Sequence, residues 1–254
     1  MIRIAAAADI HASDVSAERV ERAFADLGGE ADVVLLAGDL TTSGEPEQAE
    51  VLAAACRRLD VPIFAVFGNH DHHAGRTDEL AAVLGAAGVR LLDREGATCE
   101  VEGLELGIVG AKGFVGGFPG SALPDFGEPL LRRIYAETTA EAEAIARGLQ
   151  AIVHCDLRVV LLHYAPVVDT LEGEPIGIHT YLGCDRLATP IAENGADLVL
   201  HGHAHAGSFE GRIGEIPVYN VAVHVTGRNF WIFELDDSGV RRGGEVVDVR
   251  EPPQ

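Results

Sequence analysis

The chain has 254 residues, a formal net charge of −21 and 47% apolar residues, a composition typical of a globular protein. Its 19 basic residues include one lysine, Lys112, and form no cluster, which argues against long nucleic acid as a partner. Four scattered cysteines without a CxxC pair, and no apolar run of membrane-spanning length, lead us to expect a cytoplasmic protein with reduced thiols.

The first part of the chain alternates between predicted strands and predicted helices. Apolar runs at residues 2–8, 32–37, 61–67 and 89–92 have the length and composition of buried strands. The segments between them carry apolar residues at helical spacing, at 16–28, 46–59 and 77–87. Such an alternation predicts a largely parallel sheet covered by helices.

The second part of the chain is richer in strands. A hairpin is predicted at 97–101 and 104–109, followed by a helix at 129–154, a strand at 157–163, a short helix at 185–194, a strand at 197–200 and three more strands near 212–213, 217–222 and 230–235. Two long irregular segments, 110–127 and 165–183, are expected to border a cleft. We therefore predict two sheets packed face to face with helices outside, in one domain spanning 1–254.

Five of the predicted strands end in residues that can bind metal ions. The candidates are Asp9, His11, Asp39, Asn69, His163, His203 and His205. Open α/β sheets bind ligands at the carboxyl ends of their strands, so these side chains are expected to lie together. Two divalent cations need about four protein ligands each, and Asp39, which follows a central strand, is the natural bridge between them.

Each candidate also has an ordinary structural interpretation. A single histidine at a strand end is more often a hydrogen-bonded structural residue than a ligand, and Asp9 or Asp39 could cap the following segment. Asn69 after Gly68 could belong to a turn. Seven candidates at the same end of five strands favour a shared site. The remaining histidines are assigned to loops (His72, His73), to a strand end beside the ligands (His201) or to structural roles (His154, His179, His224).

The motif set resembles that of the calcineurin-like metallophosphoesterases, in that family's order, over residues 9–205. It comprises Asp9-x-His11, Gly38-Asp39, Gly68-Asn69-His70-Asp71, His163 and Gly202-His203-x-His205. The resemblance implies a four-layer α-β-β-α sandwich of two mixed sheets with flanking helices, and two metal ions drawn from Mn, Fe or Zn. It assigns Asp9, His11, Asp39 and His205 to one metal, Asp39, Asn69, His163 and His203 to the other, and His70 to catalysis.

One position departs from the family pattern. Many members carry a second aspartate three residues after the bridging one, where it orients the catalytic histidine, and this chain has Thr42 there. A carboxylate partner for His70 is therefore in question, with Asp71 as the candidate substitute.

The expected activity is metal-dependent hydrolysis of phosphoric esters. The resemblance implies that a hydroxide bound by both metals attacks phosphorus, with Asp39 bridging the metals and His70 protonating the departing oxygen. Small phosphodiesters are the favoured substrates because the acidic chain offers no basic groove. The alternatives are a small-molecule phosphomonoesterase and, in another class, a non-catalytic metal-binding scaffold. No membrane partner is expected, and the sequence makes no prediction of oligomeric state.

Overall fold

The computed structural model describes residues 1–236 and 239–242. Its strands are β1 (Ile2–Ala7), β2 (Val33–Ala37), β3 (Ile63–Val66), β4 (Val89–Leu91), β5 (Glu95–Val101), β6 (Leu104–Gly110), β7 (Leu157–Leu161), β8 (Leu198–His201), β9 (Glu210–Ile213), β10 (Ile216–Asn220), β11 (Trp231–Asp236) and β12 (Gly239–Arg242). Its α-helices are α1 (Ala17–Asp26), α2 (Pro46–Cys56), α3 (Thr77–Ala86), α4 (Pro129–Ala151), α5 (His179–Leu182), α6 (Ala188–Asn194) and α7 (Val223–Thr226). Of the predicted domain 1–254, residues 237–238 and 243–254 lie outside the described part, and the single domain stays a prediction.

Two mixed six-stranded sheets carry the fold, as predicted. The first has the order β12-β11-β1-β2-β3-β4, and the second has the order β5-β6-β7-β8-β10-β9. Strands β1 to β4 run parallel, as do β6, β7, β8 and β10, while β5, β9 and β11 pair antiparallel to their neighbours. The register pairs Ala7 with Leu36 and Ala37 with Val66, so β1, β2 and β3 end side by side.

Three buried apolar layers separate two sheets and the two groups of helices outside them, which confirms the four-layer sandwich. Ile4 and Leu35 belong to the layer between the two sheets. Phe24 and Leu52 belong to the layer between the first sheet and its helices, and Leu149 belongs to the corresponding layer on the second sheet. Both faces of the central strands are covered, so neither face carries polar residues. This explains why these strands are continuous apolar runs in the sequence.

The two irregular segments are ordered against each other. The Gly116 N–H donates to the Thr180 carbonyl at 3.0 Å, and Gly117 forms an isolated parallel bridge with Cys184. Short 3-10 turns at Asp169–Leu171 and Ile176–Ile178 interrupt the second segment. No periodic pattern in the sequence predicts these turns or helices α5 and α7, because their residues are held by contacts with distant segments.

A buried carboxylate attaches the first irregular segment to α4. Glu141 accepts hydrogen bonds from Arg94 at Oε1 and from the Gly113 N–H at Oε2, at 2.9–3.0 Å. Its side chain is almost fully buried, so both oxygens depend on these donors. The hydrogen bonds of Glu141 with Arg94 and Gly113 fix where the chain leaves β6 towards the candidate site.

In the described residues, no helix has the length and apolar character needed to cross a membrane.

Candidate metal centre

The predicted ligands converge at the carboxyl edge of both sheets. Residues after β1, β2 and β3 come from the first sheet, and residues after β7 and β8 come from the second. The ligand atoms form two groups, in each of which all atoms lie within 4.8 Å of one another: Asp9, His11, Asp39 and His205 in one group, and Asp39, His163 and His203 in the other. Asp39 is common to both groups, as a bridging ligand would be. The metal-binding roles themselves stay a prediction.

Two buried carboxylates form the floor of the centre. Asp9 Oδ2 accepts the His203 N–H at 3.0 Å, and Asp9 Oδ1 lies 2.8 Å from His205 Nε2. Burial acts to raise the pKa of Asp9, but the hydrogen bond with His205 and the neighbouring imidazoles lower it to about 2. For Asp39, burial and the charge of Asp9 raise the pKa. The two carboxylates therefore repel each other when no cation lies between them.

Glycines allow this close approach. A Cβ at Gly68 would overlap the Asp39 carboxylate, and a Cβ at Gly38, where φ is +85°, would overlap the His163 ring. Any other residue at Gly68 would displace the candidate bridging ligand. The glycines before Asn69 and before Asp39 are therefore required by the packing of the ligands.

His163 shows most directly that a cation fits this centre. Its Nδ1 lies 2.9 Å from the Ala37 carbonyl, which can only accept, so Nδ1 carries the proton. Burial lowers the pKa of His163 to about 4, so the ring is neutral and Nε2 is an unprotonated acceptor. That acceptor faces Asn69 Oδ1 at 2.9 Å and Asp39 Oδ1 at 3.4 Å. Three electron-pair donors that point at each other could hold a cation between them.

His203 is oriented in the same way by the second irregular segment. Its Nε2 donates to the Tyr181 carbonyl at 3.1 Å, which leaves Nδ1 without a proton and able to bind a metal. Burial lowers the pKa of His203 to about 4. On the other side, the Lys112 carbonyl accepts the His163 N–H at 3.0 Å. One residue of each irregular segment, Lys112 and Tyr181, therefore contacts a candidate ligand, and a cleft bordered by both segments stays a prediction.

His70 is oriented by a main-chain carbonyl instead of a carboxylate. Its Nδ1 donates to the Thr42 carbonyl at 2.7 Å, while its Nε2 faces the centre, 3.9 Å from Asp39 Oδ2. The Thr42 hydroxyl turns the other way and donates to the His11 carbonyl at 2.9 Å. The residue that replaces the family's aspartate thus holds His70 through its backbone.

The suggestion that Asp71 orients His70 is wrong. The Asp71 side chain is fully buried and accepts from the Leu40, Thr41 and Gly68 N–H groups and from the Thr41 hydroxyl, at 2.6–3.1 Å. Burial raises its pKa to about 6 despite these donors. The short 3-10 turn at His70–His72 points the Asp71 side chain inward, where it joins the loop after β2 to the loop after β3.

Replacing Asp71 should therefore destabilise the protein. In Asp71→Ala, three backbone N–H groups and one hydroxyl lose their buried acceptor, which should lower the free energy of unfolding by about 3–5 kcal/mol. Urea unfolding of the metal-free protein measures this. The matched control is Asp93→Ala, an exposed carboxylate near the same edge, for which we expect a change within about 0.5 kcal/mol. Equal stability of the two variants would contradict the structural role of Asp71.

The backbone of the centre is unusual as well. Six residues other than glycine have positive φ in the described part of the chain, and four of them are candidate ligands: Asp9 (58°), His11 (48°), Asp39 (49°) and His203 (72°). Left-handed backbone is uncommon outside glycine, although Asp and His tolerate it better than most residues. The local backbone is therefore held in place by its surroundings at the ligand positions.

His224 is the residue of this region that the sequence analysis missed. Its ring stacks on that of His205, with centroids 4.3 Å apart and planes 13° apart, and lies 6.2 Å from the His11 ring. It follows β10, which is parallel to β8, and so reaches the same edge. The sequence contained a pattern that could have identified it. His224 follows closely on the predicted strand 217–222, just as His11 follows closely on the predicted strand 2–8.

Comparison with known proteins points to one family. A sequence model of the family described as calcineurin-like phosphoesterase matches residues 2–207. Comparison with curated proteins gives no match.

Several solved structures share the fold at low sequence identity. A phosphopantetheinyl hydrolase from Mycobacterium tuberculosis has a TM-score of 0.61 at 15% identity, over 87% of this chain and 88% of that one. TT1561 of Thermus thermophilus has a TM-score of 0.61 at 17% identity, over 95% and 98% of the two chains. A putative 5′-nucleotidase from Staphylococcus aureus has a TM-score of 0.59 at 15% identity, over 98% of this chain and 56% of that one.

Proposed function

Because the chain belongs to the calcineurin-like phosphoesterase family, we propose that it hydrolyses small phosphodiesters at a centre of two metal ions. The observation that supports this most directly is the neutral His163 ring, whose Nε2 faces the oxygens of Asn69 and Asp39. The family implies a phosphoester hydrolase, and the choice of diester is our own inference.

We assign the ligands as the motifs suggest. Asp9, His11, Asp39 and His205 would hold one ion, and Asp39, Asn69, His163 and His203 would hold the other. A mixture of imidazole, carboxylate and amide oxygen suits Mn, Fe or Zn. When bound, two such ions would neutralise charge on the phosphoryl oxygens and activate water as a nucleophile.

The residues of the chain itself orient the nitrogen atoms that would bind metal and supply one proton for the reaction. Ala37 and Tyr181 fix the tautomers of His163 and His203, so that each presents an unprotonated nitrogen. Thr42 keeps Nδ1 of His70 engaged, which leaves Nε2 to face the reacting group. From Nε2, a protonated His70 would donate to the oxygen that leaves.

Charge favours a small phosphate ester over a long polyanion. Two dications against the carboxylates of Asp9 and Asp39 leave a charge of about +2 before any other anion binds. A diester brings one negative charge and a monoester up to two, and a positive centre would attract both. The overall charge of −21 opposes a long polyanion.

The four free thiols support our proposal of a cytoplasmic location.

The alternatives differ in the result of one experiment. Protein stripped by a chelator is expected to be inactive and to recover when Mn²⁺, Fe²⁺ or Zn²⁺ is added back, with mock-treated protein as the control. Bis-p-nitrophenyl phosphate and p-nitrophenyl phosphate compare diester with monoester, and a phosphopantetheine ester adds a natural leaving group. We expect the higher kcat/KM on the diesters. A preference for monoesters would favour the phosphomonoesterase, and metal binding without turnover would favour the scaffold.

A further inference from the structure

We propose that Glu105, His154 and Cys155 form a separate site for one sulfur-binding divalent cation of the Zn²⁺ type. One ligand atom from each residue lies within 4.8 Å of the other two. Glu105 lies on β6, and the other two residues lie between α4 and β7. None of the three belongs to the calcineurin-like motif set, and none has a part in the proposed reaction.

The spacing of the ligand atoms fits coordination better than hydrogen bonding. His154 Nε2 lies 3.6 Å from Glu105 Oε1, which is too long for a hydrogen bond. Zinc binds nitrogen and oxygen at about 2.0–2.2 Å in tetrahedral sites, so two such ligands of one ion lie about 3.4 Å apart. The observed pair is thus near the separation that a shared cation requires, without movement of the backbone.

The backbone on both sides of the cluster is fixed. The Glu105 N–H donates to Asp156 Oδ2 at 2.8 Å, and the Asp156 N–H donates to the Glu105 carbonyl at 3.0 Å. The pairing of β6 with β7 begins at the next residues, with Leu106 opposite Leu157. The Cys155 N–H donates to the Ile152 carbonyl at 3.0 Å, which closes the turn after α4. These bonds hold Glu105 and Cys155 in their relative positions, and His154 directly precedes Cys155 in the same turn.

The cysteine sulfur lies on the same sheet face as the carboxylate. A Cβ at Gly107 would approach Cys155 Sγ to 2.9 Å, so the sulfur rests over the glycine. Gly107 is two residues after Glu105, and residues two apart on a strand share a face. Cys155 is 8% exposed, whereas the side chains of Glu105 and His154 are 44% and 57% exposed. An ion can therefore enter from solvent and meet the sulfur at the inner wall.

The donor set distinguishes this site from the catalytic one. It combines sulfur, nitrogen and oxygen, whereas the catalytic ligands contain no sulfur. Burial raises the pKa of Cys155, as do the carboxylates of Glu105 and Asp156, so the thiol is protonated before a cation arrives. Binding would form the metal–sulfur bond and release the thiol proton to solvent. Three protein ligands leave one tetrahedral position for water.

The position in the fold separates this ion from the proposed reaction. The cluster lies at the amino-terminal ends of β6 and β7, whereas His163 lies beyond the carboxyl end of β7. About eight residues of extended chain separate Cys155 from His163, or roughly 25 Å. An ion held here would join the turn after α4 to β6 without contacting substrate.

Cobalt substitution tests the site selectively. Co²⁺ bound to a thiolate gives a sulfur-to-metal charge-transfer band in the near ultraviolet, and Co²⁺ bound only to nitrogen and oxygen does not. Chelator-stripped protein titrated with Co²⁺ should develop this band, whatever happens at the catalytic centre. Zn²⁺ should abolish it by displacing cobalt, as expected from the relative affinities of the two ions.

Three variants complete the test. Cys155→Ser should lose the band and bind one cobalt ion fewer per chain. In His154→Gln, a substitution at an exposed position that should not affect folding, the band should need at least about tenfold more cobalt. The control Cys99→Ser removes a half-buried thiol from the neighbouring strand and should keep the band. Absence of the band from the wild-type protein, or its persistence in Cys155→Ser, would overturn the proposal.

Discussion

In the His70→Ala variant, kcat for an alkyl phosphodiester should fall by about 10²–10⁴-fold, the usual contribution of a general acid or base. The loss on p-nitrophenyl esters should be much smaller, because p-nitrophenolate leaves without a proton. We expect the lower part of the range. The Thr42 carbonyl orients the ring but lacks the full negative charge with which a carboxylate would stabilise the imidazolium.

The ratio of the two losses is the decisive measurement. His72→Ala is a suitable control, since His72 is two residues away, exposed, and packs against Phe67 with ring centroids 6.0 Å apart. It should retain both activities. Elemental analysis should find the same metal content in His70→Ala as in the wild type. Equal losses on both ester classes, or loss of metal, would show that His70 has a different role.

Asp39→Asn should lose both catalytic metals, because Asp39 belongs to both groups of ligand atoms. Replacing even an indirect partner of a metal site costs about 10–100-fold in affinity, so removal of a bridging carboxylate should weaken binding at both positions by at least about 100-fold. Asp9→Asn should weaken chiefly one position. Competition with a chromophoric chelator gives the two affinities, and activity should fall with occupancy.

A comparison of the metal-free proteins would show whether unfolding, and not the loss of a ligand, causes the loss of metal in Asp39→Asn. Burial and the charge of Asp9 raise the pKa of Asp39, so the metal-free protein holds two carboxylates that repel each other. The Asp39→Asn substitution would remove that repulsion, and the new amide oxygen could still accept the His70 N–H. Chelated Asp39→Asn should therefore be at least as stable as chelated wild type. A stoichiometry of one catalytic metal in active wild-type protein, counted in the Cys155→Ser background, would contradict the two-metal proposal.

The layered fold was predictable because its strands and helices are strongly patterned. Strand β2 is buried at every position, and its continuous apolar run identified it. The hairpin β5–β6 was found from Glu102-Gly103, which occupy its turn with positive φ. Strand β12 and helices α5 and α7 were not predicted, because their four residues form neither a continuous apolar run nor a helical period.

The convergence of the candidate ligands was also predictable, whereas their hydrogen bonds were not. The candidates stood at strand ends, and parallel strands place their ends at one edge. Which group orients His70 depends on where a loop carbonyl points, and a sequence of side chains does not encode that directly. The inward turn of Asp71 has the same origin, because its partners are three backbone N–H groups from the ends of two strands.

The left-handed backbone at Asp9, His11, Asp39 and His203 affects how this protein would respond to laboratory evolution. Each such residue costs about 1–2 kcal/mol relative to a right-handed conformation, and glycine would avoid that cost. At His11, whose side chain comes no nearer to Asp39 than 3.8 Å and forms no hydrogen bond among the described residues, a library of metal-free protein selected only for survival at high temperature should therefore enrich glycine. The survivors would be heat-resistant and inactive, so selection for thermal tolerance must be paired with selection for turnover at every round.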